Sequence, residues 1–132
     1  MSKLILTAVV IALCLPSAAL ARDAFAGTWE VVVTPGEDAA QAKEKEFKDT
    51  FTFKGNQFKS AAFAKKGFEP VEYEENQQYG LAATFKAEGK SEKNGTATWT
   101  GQASASQMKG ELIWTRGDGK ELSYTFQATR KQ

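Results

Sequence analysis

The sequence predicts an all-β protein, an eight-stranded antiparallel up-and-down barrel that follows an N-terminal signal peptide. Short segments in which apolar and polar residues alternate recur at intervals of about 8–12 residues. Turn-forming pairs such as Gly55-Asn56 and Asn94-Gly95 separate them. Two packed sheets would share both features. The short hairpins between sequential strands favour a meander that closes into a barrel.

The alternation predicts where each strand begins and ends. The second strand is the clearest, because Phe51 and Phe53 share one face with polar residues between them. The polar connection Pro35–Glu46 is long enough to act as a lid, and the composition of Ala39–Lys45 favours a short helix within it. The predicted strands are Thr28–Thr34, Phe47–Phe53, Gln57–Phe63, Glu69–Glu74, Tyr79–Ala87, Thr96–Ala103, Gln107–Thr115 and Glu121–Thr129.

Residues 1–21 have the organisation of a secretory signal peptide. Lys3 supplies the positive charge, Leu4–Leu15 is the apolar segment, and Ala19-Leu20-Ala21 fits a cleavage site. We therefore expect export, cleavage after Ala21, and a single mature domain over 22–132. The only cysteine, Cys14, lies in the leader. A mature chain without disulfides favours a bacterial periplasmic or secreted protein over a disulfide-rich secreted domain.

The composition argues against several kinds of function. The chain has no histidine, which excludes His-dependent triads and His metal ligands. With the leader's Lys3 subtracted from 17 basic residues, 16 remain against 16 acidic ones, so nothing favours nucleic-acid binding. The acidic group from Glu69 to Glu75 is typical of a solvated edge strand. We interpret Lys65–Phe68 as an ordinary loop with Phe68 turned inward. We expect that the protein is not an enzyme and that it binds no cofactor or metal.

The two ends of the mature chain are predicted to meet. In an eight-stranded meander the first strand begins at the end of the barrel where the eighth strand finishes. Trp29 and Arg130 should therefore be neighbours, and a guanidinium over an indole stabilises by about 0.5–2 kcal/mol. Phe25, just before the first strand, would plug this end of the barrel.

Gly27-Thr28-Trp29 together with Arg130 resembles a motif of the calycin superfamily, the lipocalins and their small bacterial relatives, including the avidin-like barrels. In lipocalins a basic residue at that place packs over the tryptophan. The resemblance implies a small hydrophobic ligand inside the barrel. Residues toward the mouth, at the end opposite Trp29, would line the site. Those candidates are Val33, Phe63, Phe85 and Trp114.

A barrel of eight strands is just wide enough either to be filled by side chains or to hold one small ligand. Many inward-facing candidates are aromatic, so a fully packed interior stays open as an alternative. In that case the protein would be an interaction module, such as an envelope-associated factor or an enzyme inhibitor. We expect a monomer that does not span a membrane. The inward-facing candidates include Trp29, Val31, Phe51, Phe53, Phe58, Phe85, Trp99, Leu112, Trp114, Tyr124 and Phe126.

Overall fold

The computed structural model describes residues 24–76 and 83–131. The predicted signal peptide and its cleavage site lie outside the described residues, as do Tyr79 and Leu81 of the predicted fifth strand. No helix within the described residues is long and apolar enough to cross a membrane.

The described residues form a closed antiparallel barrel, which confirms the predicted fold class. Its eight strands are hydrogen-bonded in sequence order, and the last strand pairs with the first. Two short helices interrupt the meander, both at the mouth. The elements are β1 Gly27–Pro35, α1 Glu37–Gln41, β2 Phe47–Lys54, β3 Gln57–Ser60, α2 Ala61–Ala64, β4 Val71–Asn76, β5 Ala83–Ser91, β6 Gly95–Ser104, β7 Gln107–Thr115 and β8 Glu121–Arg130.

The fifth strand reaches further toward the mouth than predicted. It ends at Ser91, whereas the sequence predicted an end at Ala87. Alternation continues because Gly89 takes an inward position without a side chain. A Cβ at Gly89 would lie 3.3 Å from Phe68 Cδ2 and 3.5 Å from Trp99 Cζ3. The missing side chain therefore makes room for these two rings.

The third strand is shorter than predicted. The sequence predicted a strand as far as Phe63, but β3 ends at Ser60 and α2 begins at the next residue. Ser60 caps this helix, since its Oγ accepts a hydrogen bond from the Phe63 amide at 3.2 Å. Asp49 Oδ1 accepts from the Ala62 amide at 2.8 Å. The turn into α2 directs Phe63 into the barrel, where it is buried.

The end of the barrel opposite the mouth is closed by the predicted pair, which the structure confirms. The Arg130 guanidinium carbon lies 4.4 Å from the centre of the Trp29 ring. Arg130 also donates to the carbonyl oxygens of Ala26 and Ala24, the latter at 2.6 Å. Trp29 Nε1 donates to the Phe25 carbonyl at 2.9 Å. These bonds hold Phe25 under the barrel, where it is fully buried.

Two glycines face each other across β6 and β7 in the wall of the barrel. Gly101 is the register partner of Gly110. A Cβ at Gly101 would lie 2.5 Å from Phe85 Cε1, and one at Gly110 would lie 2.5 Å from Phe126 Cζ. The paired glycines therefore let two large rings pack directly against the backbone of the wall.

Arg130→Lys should destabilise the protein although it keeps the positive charge. Lysine cannot present the planar fork that covers Trp29 and reaches two carbonyls. We expect the free energy of unfolding to fall by about 1–3 kcal/mol in denaturant titrations. Arg116→Lys is the matched control, because Arg116 lies in an exposed hairpin and pairs with Asp118. Equal losses in the two variants would contradict the role given to Arg130.

Gly110→Ala should strain the wall of the barrel. The added methyl would meet the Thr100 carbonyl oxygen and the Phe126 ring, and backbone cannot move away as a flexible side chain can. We expect a loss of about 2–3 kcal/mol in the free energy of unfolding. Gly119→Ala adds a methyl with nothing within 4 Å and strains only a positive φ, so it should lose about 1 kcal/mol. A loss for Gly110→Ala no larger than this control would show that the wall can relax.

Candidate functional site

Two of the four predicted ligand-lining residues meet at the mouth. The rings of Phe63 and Trp114 lie 5.2 Å apart, edge to face. Val33 is buried on β1, opposite Phe126 of β8 and Phe47 of β2. The structure therefore brings Phe63 and Trp114 into one cluster, with Val33 on the strand that rises toward the same end.

Phe85 was expected toward the mouth, but it lies in the opposite half of the barrel. Its ring centre is 5.1 Å from that of Phe25 and 5.0 Å from that of Phe53. The strand that carries Phe85 continues to Ser91, so Phe85 lies closer to the plugged end than the predicted strand placed it. Alternation correctly assigned Phe85 to the inward face, but it could not assign its height.

Four aromatic residues form what we call the mouth cluster: Phe63, Phe68, Trp99 and Trp114. Phe63 is at its centre, with ring-centre distances of 5.2 Å to Phe68 and 5.3 Å to Trp99. All three contacts of Phe63 are edge to face, a favoured geometry for aromatic pairs. Phe68 is buried, which confirms that it turns inward. Neither Trp99 nor Phe68 was predicted from the sequence to lie at the mouth.

A continuous column of ring contacts runs through the barrel from the plugged end to the mouth. Successive ring centres are separated by 4.9 to 5.6 Å. The rings therefore occupy the path that an apolar ligand would take, and Phe63 is the last ring of the column before Trp114. In order, the column consists of Phe25, Phe85, Phe58, Trp99, Phe63 and Trp114.

The three tryptophans differ in how their indole N–H groups are satisfied. Trp29 Nε1 donates to the Phe25 carbonyl, and Trp114 Nε1 donates to the Asn94 carbonyl at 2.7 Å. Trp99 is only 2% exposed, yet its Nε1 has no hydrogen-bond partner in the described part of the chain. A buried donor in this condition is unusual, because nearly all buried polar groups in folded proteins are hydrogen-bonded.

A buried carboxylate anchors the helix that carries Phe63. Asp49 points inward from β2, and its Oδ2 accepts a hydrogen bond from Ser60 Oγ at 2.5 Å while Oδ1 accepts from the Ala62 amide. Burial raises the pKa of Asp49, although these hydrogen bonds act in the opposite direction. The sequence signal was an acidic residue on the inward side of an otherwise aromatic strand face.

The wall of the barrel is weakest beside this helix. β3 and β4 share only two register pairs, Gln57↔Glu72 and Phe58↔Val71, fewer than any other neighbouring strands in the described barrel. The chain between them forms α2 and the loop that contains Phe68. The mouth cluster therefore lies beside the shortest ladder of the barrel.

The other loops at the mouth are braced by side chains. The Lys66 carbonyl accepts from Asn94 Nδ2 at 2.7 Å and from Ser91 Oγ at 2.9 Å. The ammonium group of Lys66 lies 5.2 Å from the centre of the Trp114 ring. These contacts join the loop after α2 to the hairpin between β5 and β6.

The predicted lid is tied to β8 by two carboxylates. Asp38 of α1 accepts from the Ser123 amide at 3.2 Å, and Glu44 accepts from the Tyr124 hydroxyl at 3.0 Å. Burial, and then the bond to Glu44, raise the pKa of Tyr124. Ala39 is fully buried under this segment. The segment 36–46 thus forms a fixed cover over one side of the mouth.

Asp49→Asn should stabilise the folded protein at neutral pH. Because the folded-state pKa of Asp49 is raised, its contribution to stability is fully present below the unfolded pKa and is lost as pH rises through the folded pKa. Asparagine keeps an acceptor for Ala62 and stays neutral. In denaturant titrations Asp49→Asn should exceed the wild type in unfolding free energy at pH 7, and this advantage should vanish near pH 4.

Asp49→Ala is the matched control. It removes the acceptor, so the Ala62 amide and the Ser60 hydroxyl lose their partner and stability should fall at every pH. Equal losses for the asparagine and alanine variants at pH 7 would mean that the negative charge itself stabilises the start of α2.

No profile of a known protein family matches the chain, and a search of curated proteins found no match. The resemblance to the calycin superfamily therefore stays a prediction, based on Gly27, Trp29 and Arg130.

Proposed function

We propose that this protein is an exported, non-enzymatic binding protein for a small apolar molecule, and that the ligand binds in the mouth cluster in place of the Phe63 ring. The position of Phe63 carries the proposal. It lies among Phe68, Trp99 and Trp114, and it is presented by a four-residue helix rather than by a strand. A ligand ring in the same place would make the same edge-to-face contacts.

Displacement of Phe63 is energetically accessible. Exposing a buried phenylalanine costs about 1.5–3 kcal/mol, and a ligand that buries a similar apolar area recovers this. A helix of four residues has little stability of its own, so α2 is held mainly by the hydrogen bonds from Ser60 and Ala62 to Asp49. It also follows a strand with only two register pairs to β4. Movement of α2 and its loop would leave the longer ladders of the barrel in place.

The composition supports the non-enzymatic part of the proposal. Residues 22–132 contain no histidine and no cysteine. The ring contacts around Phe63 are apolar, so the cluster offers packing area rather than acid–base groups. Export is proposed from the signal-peptide pattern of residues 1–21.

The second candidate is a protein-interaction module that uses the mouth loops while Phe63 stays in place. The bracing of these loops favours it, since Lys66, Asn94, Asp38 and Glu44 fix them through hydrogen bonds. A surface ordered in advance loses less conformational entropy when a partner binds. The continuous ring column is also compatible with this function.

Naphthalene is a suitable probe for the lead proposal. Wild-type mature protein should bind it saturably in a calorimetric titration. In ¹H–¹⁵N spectra the indole signals of Trp99 and Trp114 should shift, while that of Trp29 at the plugged end should not. Phe63→Ala should bind about tenfold to a hundredfold more tightly, because no ring has to be displaced.

Phe51→Ala is the matched control. Phe51 is equally buried but contacts Phe58 and Phe126 in the body of the barrel, so its truncation should not raise the affinity at the mouth. Binding by Phe63→Ala alone, with none by the wild type, would mean that the substitution creates the site and would count against the proposal. Absence of saturable binding to both would overturn it.

A further inference from the structure

The indole of Trp99 offers a hydrogen-bond donor inside the mouth cluster. Its ring contacts Phe63, Phe58 and Phe68, with centre-to-centre distances of 5.3, 4.9 and 6.4 Å. Its Nε1 is buried and has no partner in the parts of the chain that the structure describes. The six-membered ring of the indole packs against Gly89, but this packing gives the N–H group no hydrogen-bond partner among the described residues.

The indole N–H groups of the other two tryptophans both have hydrogen-bond partners. Trp29 and Trp114 each donate to a backbone carbonyl that belongs to a turn or terminal segment, those of Phe25 and Asn94. Trp99 lies in the middle of β6, opposite Ala87 and Leu112. Backbone carbonyls in a continuous ladder are already engaged by neighbouring strands. An acceptor for Trp99 therefore has to come from something other than the ladders around it.

We infer that the molecule bound in the mouth cluster carries a hydrogen-bond acceptor, and that Trp99 Nε1 donates to it. The inference rests on the proposed function, because the ligand must first occupy the place of the Phe63 ring. It narrows the ligand class to compact, uncharged, apolar molecules with one acceptor oxygen or nitrogen, such as a carbonyl, an ether or a pyridine-type nitrogen.

The surroundings of Trp99 explain why the acceptor should be uncharged. Its ring neighbours are phenylalanines, and Gly89 on the adjacent strand adds no polar side chain. An ionised group among these rings would lose its hydration without gaining a charged partner. The ammonium of Lys66 lies over Trp114, at the outer edge of the cluster, rather than over Trp99.

A matched set of probes separates the acceptor from the apolar surface. Naphthalene, quinoline and isoquinoline have nearly the same shape, and the two nitrogen compounds are neutral at pH 7.5. A neutral hydrogen bond formed by a buried donor favours its acceptor by about fivefold to tenfold. We expect the wild type to bind quinoline or isoquinoline tighter than naphthalene by this factor, and the Trp99 indole proton to shift downfield only with the nitrogen compounds.

Trp99→Phe should abolish this preference and keep naphthalene binding, since the aromatic surface remains. Trp114→Phe is the control: it removes an indole from the same cluster but leaves Trp99, so the preference should persist. Equal affinities for all three probes in the wild type, without a downfield shift of the Trp99 proton, would overturn the acceptor inference and leave the proposed function standing. No binding of any probe would overturn both. If Trp99→Phe does not fold, the wild-type indole shift decides.

Discussion

The rest of the structure depends on the contact between Arg130 and Trp29. β1 and β8 are the first and last strands, and the barrel closes only if they pair; Trp29 and Arg130 are register partners at the end of that ladder. The same guanidinium binds the carbonyls of Ala24 and Ala26, so it also holds Phe25 beneath the barrel. One side chain thus closes the ladder, covers an indole and fixes the plug from which the ring column begins.

The ring column sets the second constraint, because the width of an eight-stranded barrel is fixed by its strand number and tilt. Large rings fit only where the facing residue of the wall has a small side chain or none. Gly89 makes room for Phe68 and Trp99, and the pair of Gly101 with Gly110 makes room for Phe85 and Phe126. If rings fill the interior, a molecule could enter only by taking the place of one of them. The ring held by the short helix α2 is better suited to exchange than rings held by strands.

Period-two alternation predicted the fold well because it reports which face of a strand is buried. β7 begins and ends at the predicted residues, Gln107 and Thr115. The end of β3 could not be predicted, because it depends on bonds from Ser60 and Ala62 to Asp49, which is distant in sequence. Alternation gives no height along the barrel, which is why Phe85 was misplaced. No sequence pattern indicates that the Trp99 N–H has no acceptor among residues 24–76 and 83–131, since that depends on which carbonyls the ladders engage.

The short ladder between β3 and β4 is the place where we expect the barrel to open most easily. A closed sheet has no free edge, so opening it anywhere breaks the hydrogen bonds of one ladder. The ladder between β3 and β4 has only two register pairs, so opening the barrel there breaks the fewest hydrogen bonds. If these two pairs separate, the barrel becomes an open sheet with β3 and β4 as its edges. Residues from α2 to Phe68 connect β3 to β4, so a fluctuation that separates these strands also loosens the rings of the mouth cluster. Stability and access to the interior are then governed by different parts of one continuous wall.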